Sequence, residues 1–323
     1  MTKSYSREVP LRIRCQLTAI SLLAAAQPAL AVQPSGDIVV RGTRLDPAQA
    51  RDRATNFVKR TGVANGQQQA ARWVVPICIK VIGLSTSQTG RVEDLMLRIA
   101  REANIPTARP GCEPNITVTF APDAKEVTRL IHGRKPHQLR ELSQAEREKV
   151  LNGAAPIRWW YATQMLDRDG VRSNNISPGW ITAGEGSGGA VTDAVSVGGS
   201  GDIISTQQYN SGSNVRTPTI RSLFGATVVV DAPTAGERSV DSIAAYAAMV
   251  AFAEMNAENP PPDSILGLFQ PDSAESSLTD WDLAFLKSLY RMPLDRRSRI
   301  QRGHLVEALL DERLPKKDAA RKP

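Results

Sequence analysis

The sequence contains few of the residues that build catalytic sites. Only three histidines occur in 323 residues, at His132, His137 and His304, and no two of them have the i, i+4 spacing that zinc peptidases place on one helix. The pattern G-x-S-x-G of a serine nucleophile elbow is also missing. Surface roles are the simpler interpretation of all three histidines, so we expect no catalytic centre, no metal site and no resident cofactor.

One glycine motif occurs without the context that would give it a function. Residues 184–189 read GEGSGG and match G-x-G-x-x-G. A dinucleotide site needs a long helix directly after these glycines, because the helix N-terminus holds the pyrophosphate. The segment that follows is short, contains β-branched residues and ends in glycine, and no G-K-[ST] sequence occurs. We therefore do not expect nucleotide binding.

Long hydrophobic runs are absent after the N-terminus, where one short run has the order of a signal peptide. Basic residues precede an apolar stretch from about Leu17 to Ala26, and Ala29-Leu30-Ala31 then supplies a small-x-small cleavage site. The alternative is a buried N-terminal helix. The pattern predicts a signal peptide over 1–31, a periplasmic or secreted protein, and no transmembrane span once the signal is removed.

Charge of one sign is not concentrated in the predicted mature chain. Removal of residues 1–31 would take away four basic residues and Glu8, which lowers the formal net charge from +7 to +4. Nucleic-acid binding requires a concentrated basic face, so we do not expect it. The one basic cluster is at the C-terminus, where 313–323 is predicted to be a disordered solubilising tail; a binding arm is the alternative.

Cysteine is scarce as well, and its number fits an oxidising compartment. Cys15 would leave with the signal peptide, so Cys78 and Cys112 remain as a pair. The sequence favours a disulfide between them, and two buried free thiols are the alternative. In the chain-entropy model, a closed loop of about 34 residues contributes roughly 3–4 kcal/mol. Two cysteines without nearby histidines make a poor zinc site.

The order of apolar and polar residues predicts one α+β domain over 72–312, with a mixed sheet and several packed helices. Residues 32–71 are predicted to be a polar leader and linker, with a possible helix from Asp46 to Gly62. Apolar residues at helical spacing predict a helix over 92–103, and alternation predicts a strand over 115–120. Further elements are expected at 123–132, 144–152, 157–166, 225–230, 241–255, 279–290 and 299–312. Residues 167–218 are predicted to form a long loop, which is rich in glycine and serine between 184 and 213.

Three consecutive aromatic residues and a few carboxylates are the weak candidates for binding. In a strand, Trp159 and Tyr161 share one face and Trp160 takes the other, so core packing explains at least one of them. Asp231 and Asp241 flank the turn before the apolar helix, and Asp241 can cap that helix. Glu237 lies between them, and Glu185 and Asp193 lie in the long loop. Helix caps and solvated charges are the simpler interpretation of all five carboxylates.

The order of segments in the second half is similar to that of an exported proteobacterial family of unknown function, distantly related to metzincin-type zinc peptidases. The resemblance covers about residues 217–292 and rests on a strand, an Asp-led helix, Ser264-Ile265-Leu266, and a helix with the pattern L-T…D…L…LY from Leu278 to Tyr290. It implies a metzincin-like C-terminal half. In that family the helix after the strand carries HExxH.

The helix that corresponds to HExxH has lost the residues that bind zinc. Residues 241–248 read DSIAAYAA, without histidine or a central glutamate. A zinc peptidase needs imidazole ligands on one helical face and a carboxylate that activates water. We therefore expect a non-catalytic envelope or periplasmic protein that binds an unidentified envelope protein or ligand. The alternative is a peptidase-like hydrolase that uses carboxylates.

Overall fold

The structure, a computed structural model, describes residues 46–167, 170, 215–236, 238–256, 258–271, 273 and 276–313. The predicted signal peptide, most of the glycine- and serine-rich loop, and the tail after Arg313 lie outside these residues, as do Glu185, Asp193 and Glu237. The described part combines a five-stranded sheet with eight α-helices, so the prediction of an α+β fold with a mixed sheet is confirmed.

The sheet is mostly parallel, with one antiparallel strand at its edge. The strands are β1 (Arg72–Trp73), β2 (Ile79–Ile82), β3 (Ile116–Ala121), β4 (Ile157–Asp167) and β5 (Thr219–Asp231). β5 pairs in parallel with β3 and β1, β3 pairs in parallel with β2, and β4 runs antiparallel to β5. β5 begins six residues before the predicted strand at 225, and its first half pairs with the second half of β4.

One face of the sheet carries the main hydrophobic core. Helix α2 (Thr86–Glu102) and helix α6 (Val240–Phe252) pack against each other and against the inward side chains of β3 and β5. The apolar stripe of α2 is buried as its spacing predicted, since Val92, Met96 and Ala100 are inaccessible. Helix α6 is buried on every side, which places it in the middle of the fold.

The other face of the sheet carries a smaller layer. Helices α3 (Ala124–Arg134) and α4 (Gln144–Asn152) cover it together with the 3-10 turn Pro136–Leu139. Helix α4 begins with a capping box formed by Ser143 and Glu146. The buried face of α3 includes Thr128, which is inaccessible and donates to Ala124 O, whereas Leu130 is half-exposed.

The packed part of the chain begins before residue 72. The helix that the sequence suggested is α1 (Pro47–Thr61), capped by Asp46 and ended by Gly62 in the left-handed conformation. Ala54, Phe57 and Val58 of this helix are buried in the main core, so residues 47–61 pack with the elements that follow residue 72. The amphipathic stripe was too short to indicate that this helix packs against the rest.

Two further helices complete the main core beside α1. They are α7 (Asp280–Arg291) and α8 (Ser298–Arg313), and the short helix α5 (Ala232–Ala235) follows β5. α8 packs against both α1 and α7. Its buried residues Leu305, Val306, Leu309 and Leu310 are those that the sequence predicted.

The disulfide between Cys78 and Cys112 is present, with the two Cα atoms 6.0 Å apart. Cys78 precedes β2 and Cys112 lies shortly before β3, and these two strands are paired neighbours. The Asn115 side chain adds to the same junction, because it accepts from Cys78 N–H at 2.8 Å and donates to Pro76 O at 3.0 Å. The predicted cross-link therefore joins neighbouring parts of one sheet.

Candidate functional site

The candidate site is the central helix α6 with the strand end that leads into it. Ser239, and not Asp241, caps this helix by accepting from Ser242 N–H at 3.0 Å. Every residue from Ser242 to Phe252 is buried. Alanine occupies five of these positions, which lets neighbouring elements approach the helix backbone closely.

Aromatic side chains surround the one large polar-tipped residue in the middle of α6. The ring of Tyr246 meets the ring of Trp159 edge-on at 6.0 Å between centroids, and it meets the ring of Phe269 in the same way at 5.5 Å. Burial alone raises the pKa of the Tyr246 hydroxyl. Beside Tyr246 the flank of α6 is therefore packed aromatic surface.

The C-terminal end of α6 is satisfied by side chains from three other elements. The last carbonyls of a helix have no partner within it and need one elsewhere. The Tyr161 hydroxyl lies 2.7 Å from Val250 O and 3.0 Å from Ala253 O. Trp73 Nε1 donates to Ala251 O at 2.8 Å, and the Tyr290 hydroxyl donates to Phe252 O at 2.7 Å. Together these three donors serve four successive carbonyls, with the single Tyr161 proton shared between Val250 O and Ala253 O.

Tyr161 is thus a structural residue in this fold. Its hydroxyl also accepts from Met255 N–H at 3.2 Å, and burial raises its pKa well above the usual value. Trp159 lies on the same face of β4, half-buried, and donates through Nε1 to Met255 O at 3.3 Å. Trp160 points to the other face, as the alternation predicted, and is buried in the smaller layer. All three weak binding candidates of this run therefore pack inside the protein.

Asp231 joins two helix starts at the carboxyl ends of β3 and β5. Its Oδ1 accepts from Thr234 N–H at 3.1 Å and from the Thr234 hydroxyl at 2.7 Å. Its Oδ2 accepts from Ala124 N–H of α3 at 3.2 Å. Desolvation raises the pKa of Asp231, but these hydrogen bonds and the nearby charge of Arg158 outweigh it, so the pKa is lowered. Asp231 is a charged cap.

Asp241 forms a surface ion pair with α2. Arg91 donates to it through Nε at 2.6 Å and through Nη2 at 2.5 Å. The hydrogen bond from Arg91 is the main reason that the pKa of Asp241 is lowered. Asp231 and Asp241 thus have different partners, and neither has a raised pKa of the kind that a general acid needs.

Arg158 is a functional candidate that the sequence did not indicate. It lies on β4 next to Trp160, only 3 % exposed, and donates through Nη2 to Gly153 O at 2.6 Å. Among the residues that the structure describes, its Nε and Nη1 have no hydrogen-bond partner, and neither has Trp160 Nε1. Burial lowers the pKa of Arg158, while Asp231 and Asp123 oppose that shift. The alternation of residues along β4 does not distinguish Arg158 and Trp160 from other strand residues. Only the packing shows that both side chains are buried on the same face, with donors that the described ranges leave without an acceptor.

Two other polar groups have contacts that the sequence did not indicate. Asp282 completes the capping box of α7 from a fully buried position, where it also accepts from the Ser264 hydroxyl at 2.5 Å and from Ile265 N–H at 2.8 Å. Burial raises its pKa against these hydrogen bonds. Arg221 of β5 pairs with Glu254 just after α6, with one contact at 2.8 Å.

The histidines are not gathered into a site. His137 and His304 are exposed and His132 is half-buried. Within the described ranges, no three histidine, cysteine, aspartate or glutamate side chains lie close enough together to hold a metal ion. In the same part of the chain, no helix is both long enough and apolar enough to cross a membrane.

The surface carries two open grooves that involve α1. The first, of about 360 Å³, lies between α1 and Pro262 and is lined by Asp52, Arg53 and Asn56 among others. The second, of about 530 Å³, lies between α1 and α8. No protein-family model, curated protein or solved structure matches this chain, so the interpretation of these sites depends on the chain itself.

Proposed function

We propose that this protein is exported to the bacterial cell envelope and works there without catalysis, as a binding or structural module. The observation that carries the proposal is the packing of α6. The helix that corresponds by order to the HExxH helix is lined by alanine, and the rings of Trp159 and Phe269 occupy the flank around Tyr246. A catalytic zinc needs three protein ligands and an open coordination position. The side chains on this flank of α6 are aromatic rings, which are not zinc ligands.

Export is supported by two independent features. The basic, apolar and small-residue segments of 1–31 follow one another in the order of a signal peptide. A disulfide joins the two cysteines that would remain after its removal, and disulfides persist in oxidising compartments such as the periplasm. The periplasm is therefore the location that we propose, with secretion as the variant of the same idea.

The kinship with metzincin-type peptidases is part of the proposal, and segment order supports it. β5 leads through α5 into α6, the Ser264-Ile265 segment follows, and α7 bears the L-T…D…L…LY pattern. Asp282 of α7 bonds to Ser264 and Ile265, so the two segments that the resemblance singles out are in direct contact. This contact gives a physical reason for the two motifs to occur together.

Metal analysis of the mature protein, purified from a periplasmic fraction and dialysed against a weak chelator, tests the proposal. We expect less than about 0.1 zinc per chain. Zinc is held by imidazole, thiolate and carboxylate ligands, and the buried part of α6 has none of these groups. A stoichiometric partner should also co-purify after mild cross-linking. Zinc that resists exchange would overturn the proposal.

The same preparation tests the hydrolase alternative. Mixed peptide and ester substrates should not be hydrolysed by the protein. Asp231→Asn and Asp241→Asn should not alter the background rate of hydrolysis. Hydrolysis that both substitutions abolish would establish the alternative, because the two carboxylates would then act in one reaction. Lys125→Gln serves as a matched surface control.

A further inference from the structure

We propose that the groove between α1 and α8, about 530 Å³ in volume, binds a small organic anion that carries two or more carboxylate or phosphate groups. Small-molecule sites typically have volumes of roughly 300–1,000 Å³. The groove is lined by residues of both helices and of the turn that follows α1, namely Arg51, Thr55, Val58, Lys59, Gly62, Val63, Asn65, Gly66, Arg302, Gly303, Val306 and Glu307.

The charges along this groove favour an anion. Three of its lining residues are cationic, Arg51, Lys59 and Arg302, and Glu307 is its single carboxylate. Glu307 already accepts from Arg51 Nη2 at 2.7 Å. The Lys59 side chain forms no ion pair or hydrogen bond with any residue of the described ranges. One ammonium group and one guanidinium group therefore remain for a ligand.

Arg302 is held in position by the backbone of the turn after α1. Its Nη1 donates to Ala64 O and to Gly66 O, the latter at 3.1 Å. The Ser298 hydroxyl also donates to Gly66 O, at 2.8 Å, which fixes this carbonyl. Within the described part of the chain, only Nη1 of this guanidinium is used. The remaining N–H groups form the fork that matches a carboxylate or phosphate.

The turn that positions Arg302 has an unusual backbone. Gly62 has φ 72°, Ala64 has φ 55° and Gly66 has φ 56°. A positive φ is unfavourable for alanine and is maintained only where the surrounding structure imposes it. Ala64 is buried, and its carbonyl is one of the two that hold Arg302. The uncommon backbone thus directs two carbonyls toward one guanidinium at the rim of the groove.

The neutral polar groups of the groove add hydrogen-bond donors. The Asn65 side chain uses Oδ1 to accept from Gly66 N–H at 2.8 Å, and its amide NH₂ remains a donor. Thr55 adds a hydroxyl group to the lining. Together with Lys59 and Arg302, these groups match an oxyanion ligand, which has acceptors only.

Isothermal titration calorimetry of the mature, disulfide-bonded protein tests the proposal with tripolyphosphate and with citrate, and with sucrose as a neutral probe. We expect saturable one-site binding of at least one anion that weakens as salt is added, and no heat from sucrose. Preference for tripolyphosphate would assign phosphate ligands, and preference for citrate would assign carboxylate ligands. Absence of saturable binding by both anions would overturn the proposal.

Charge variants distinguish the groove from the general positive charge of the surface. Lys59→Gln and Arg302→Gln should each weaken binding about tenfold, as expected for one lost charge-assisted hydrogen bond. Glu307→Gln should strengthen binding a few-fold, because it removes the single carboxylate and releases Arg51. Arg299→Gln removes the same charge from α8 outside the groove and should change nothing. Equal weakening by Arg299→Gln and Lys59→Gln would overturn the proposal.

Discussion

The two faces of the sheet differ in how well their buried polar groups are hydrogen-bonded. On the face that carries α6, the last helical carbonyls are satisfied by Tyr161, Trp73 and Tyr290. On the face covered by α3 and α4, Arg158 and Trp160 have donors without a partner in the described part of the chain. Buried donors usually have a partner. The side chains that satisfy buried polar groups are therefore concentrated around the central helix α6.

The difference also explains why the three aromatic residues of β4 have separate roles. Tyr161 and Trp159 bond to the backbone at the end of α6 and just beyond it. Trp160, one residue away, faces the smaller layer with its ring buried, and its Nε1 has no hydrogen-bond partner among the described residues. Strand alternation alone assigns them to these two environments.

The largest effect should come from Tyr161→Phe, which removes only a hydroxyl group from the α6 face. The substitution leaves two carbonyls and one N–H without their partner, so the free energy of unfolding should fall by about 2–3 kcal/mol. Urea denaturation followed by tryptophan fluorescence measures it. Tyr246→Phe is the matched control, since burial alone shifts the pKa of that hydroxyl, and should cost under about 0.5 kcal/mol. Equal losses of unfolding free energy from Tyr161→Phe and Tyr246→Phe would show that the hydrogen bonds at the end of α6 contribute no special stability.

A second, smaller effect should appear at Asp231 and depend on pH. Its folded pKa is lowered below the ordinary value of 3.8. Its ionised form therefore stabilises the fold above the unfolded pKa, and this contribution disappears as pH falls through the folded pKa. Asp231→Asn should lower stability by about 1 kcal/mol at pH 7.

Denaturation curves at pH 7 and at pH 2.5 check the Asp231 prediction. The gap between wild type and Asp231→Asn should narrow in acid. A gap that widens in acid would contradict the assigned direction of the pKa shift. Asp123→Asn is a suitable control, because it alters a neighbouring cap of the same α3 start.

A still smaller effect should follow from Arg158→Met in the layer of α3 and α4. The guanidinium is buried yet makes one hydrogen bond, to Gly153 O, and desolvation lowers its pKa. Replacement of a buried charge by an apolar side chain of similar length is often neutral or stabilising. Stability should therefore change by less than about 1 kcal/mol. A loss as large as that of Tyr161→Phe would show that both faces are equally constrained.

The smallest effect should be that of Arg91→Gln. This substitution breaks the ion pair with Asp241, whose two side chains are 67 % and 41 % exposed. Exposed pairs contribute little because water and salt screen them. We expect no loss of thermal stability at high salt and a slight one at low salt. A large loss at both would indicate that Asp241 supports α6 from its surface.

Local patterns predicted much of this fold because their causes are local. The capping boxes at Ser143 and Thr279, the end of α1 at Gly62, and the buried stripes of α2 and α8 all depend on residues within a few positions of each other. The assignment of Asp241 as a cap was wrong by two positions. Serine and aspartate are equally good N-cap residues, so the sequence could not choose between Ser239 and Asp241. The helix begins at Val240, which makes Ser239 the cap.

The candidate site was less predictable because its contacts join distant parts of the chain. Tyr161 bonds to residues about 90 positions later, and Trp73 bonds to Ala251. Lys59 and Arg302 line the same groove although 243 positions separate them. Neither apolar periodicity nor residue type carries information about such pairs.

The sequence by itself determined most of the elements, the pairing of the two cysteines and the alanine-rich composition of the central helix, because spacing and residue chemistry are properties of short segments. Tertiary structure alone decided that α1 belongs to the core and that three aromatic residues close the end of α6. It also decided that a basic groove lies between α1 and α8. These outcomes depend on which distant surfaces meet, and the chain settles that only when it buries its apolar faces together.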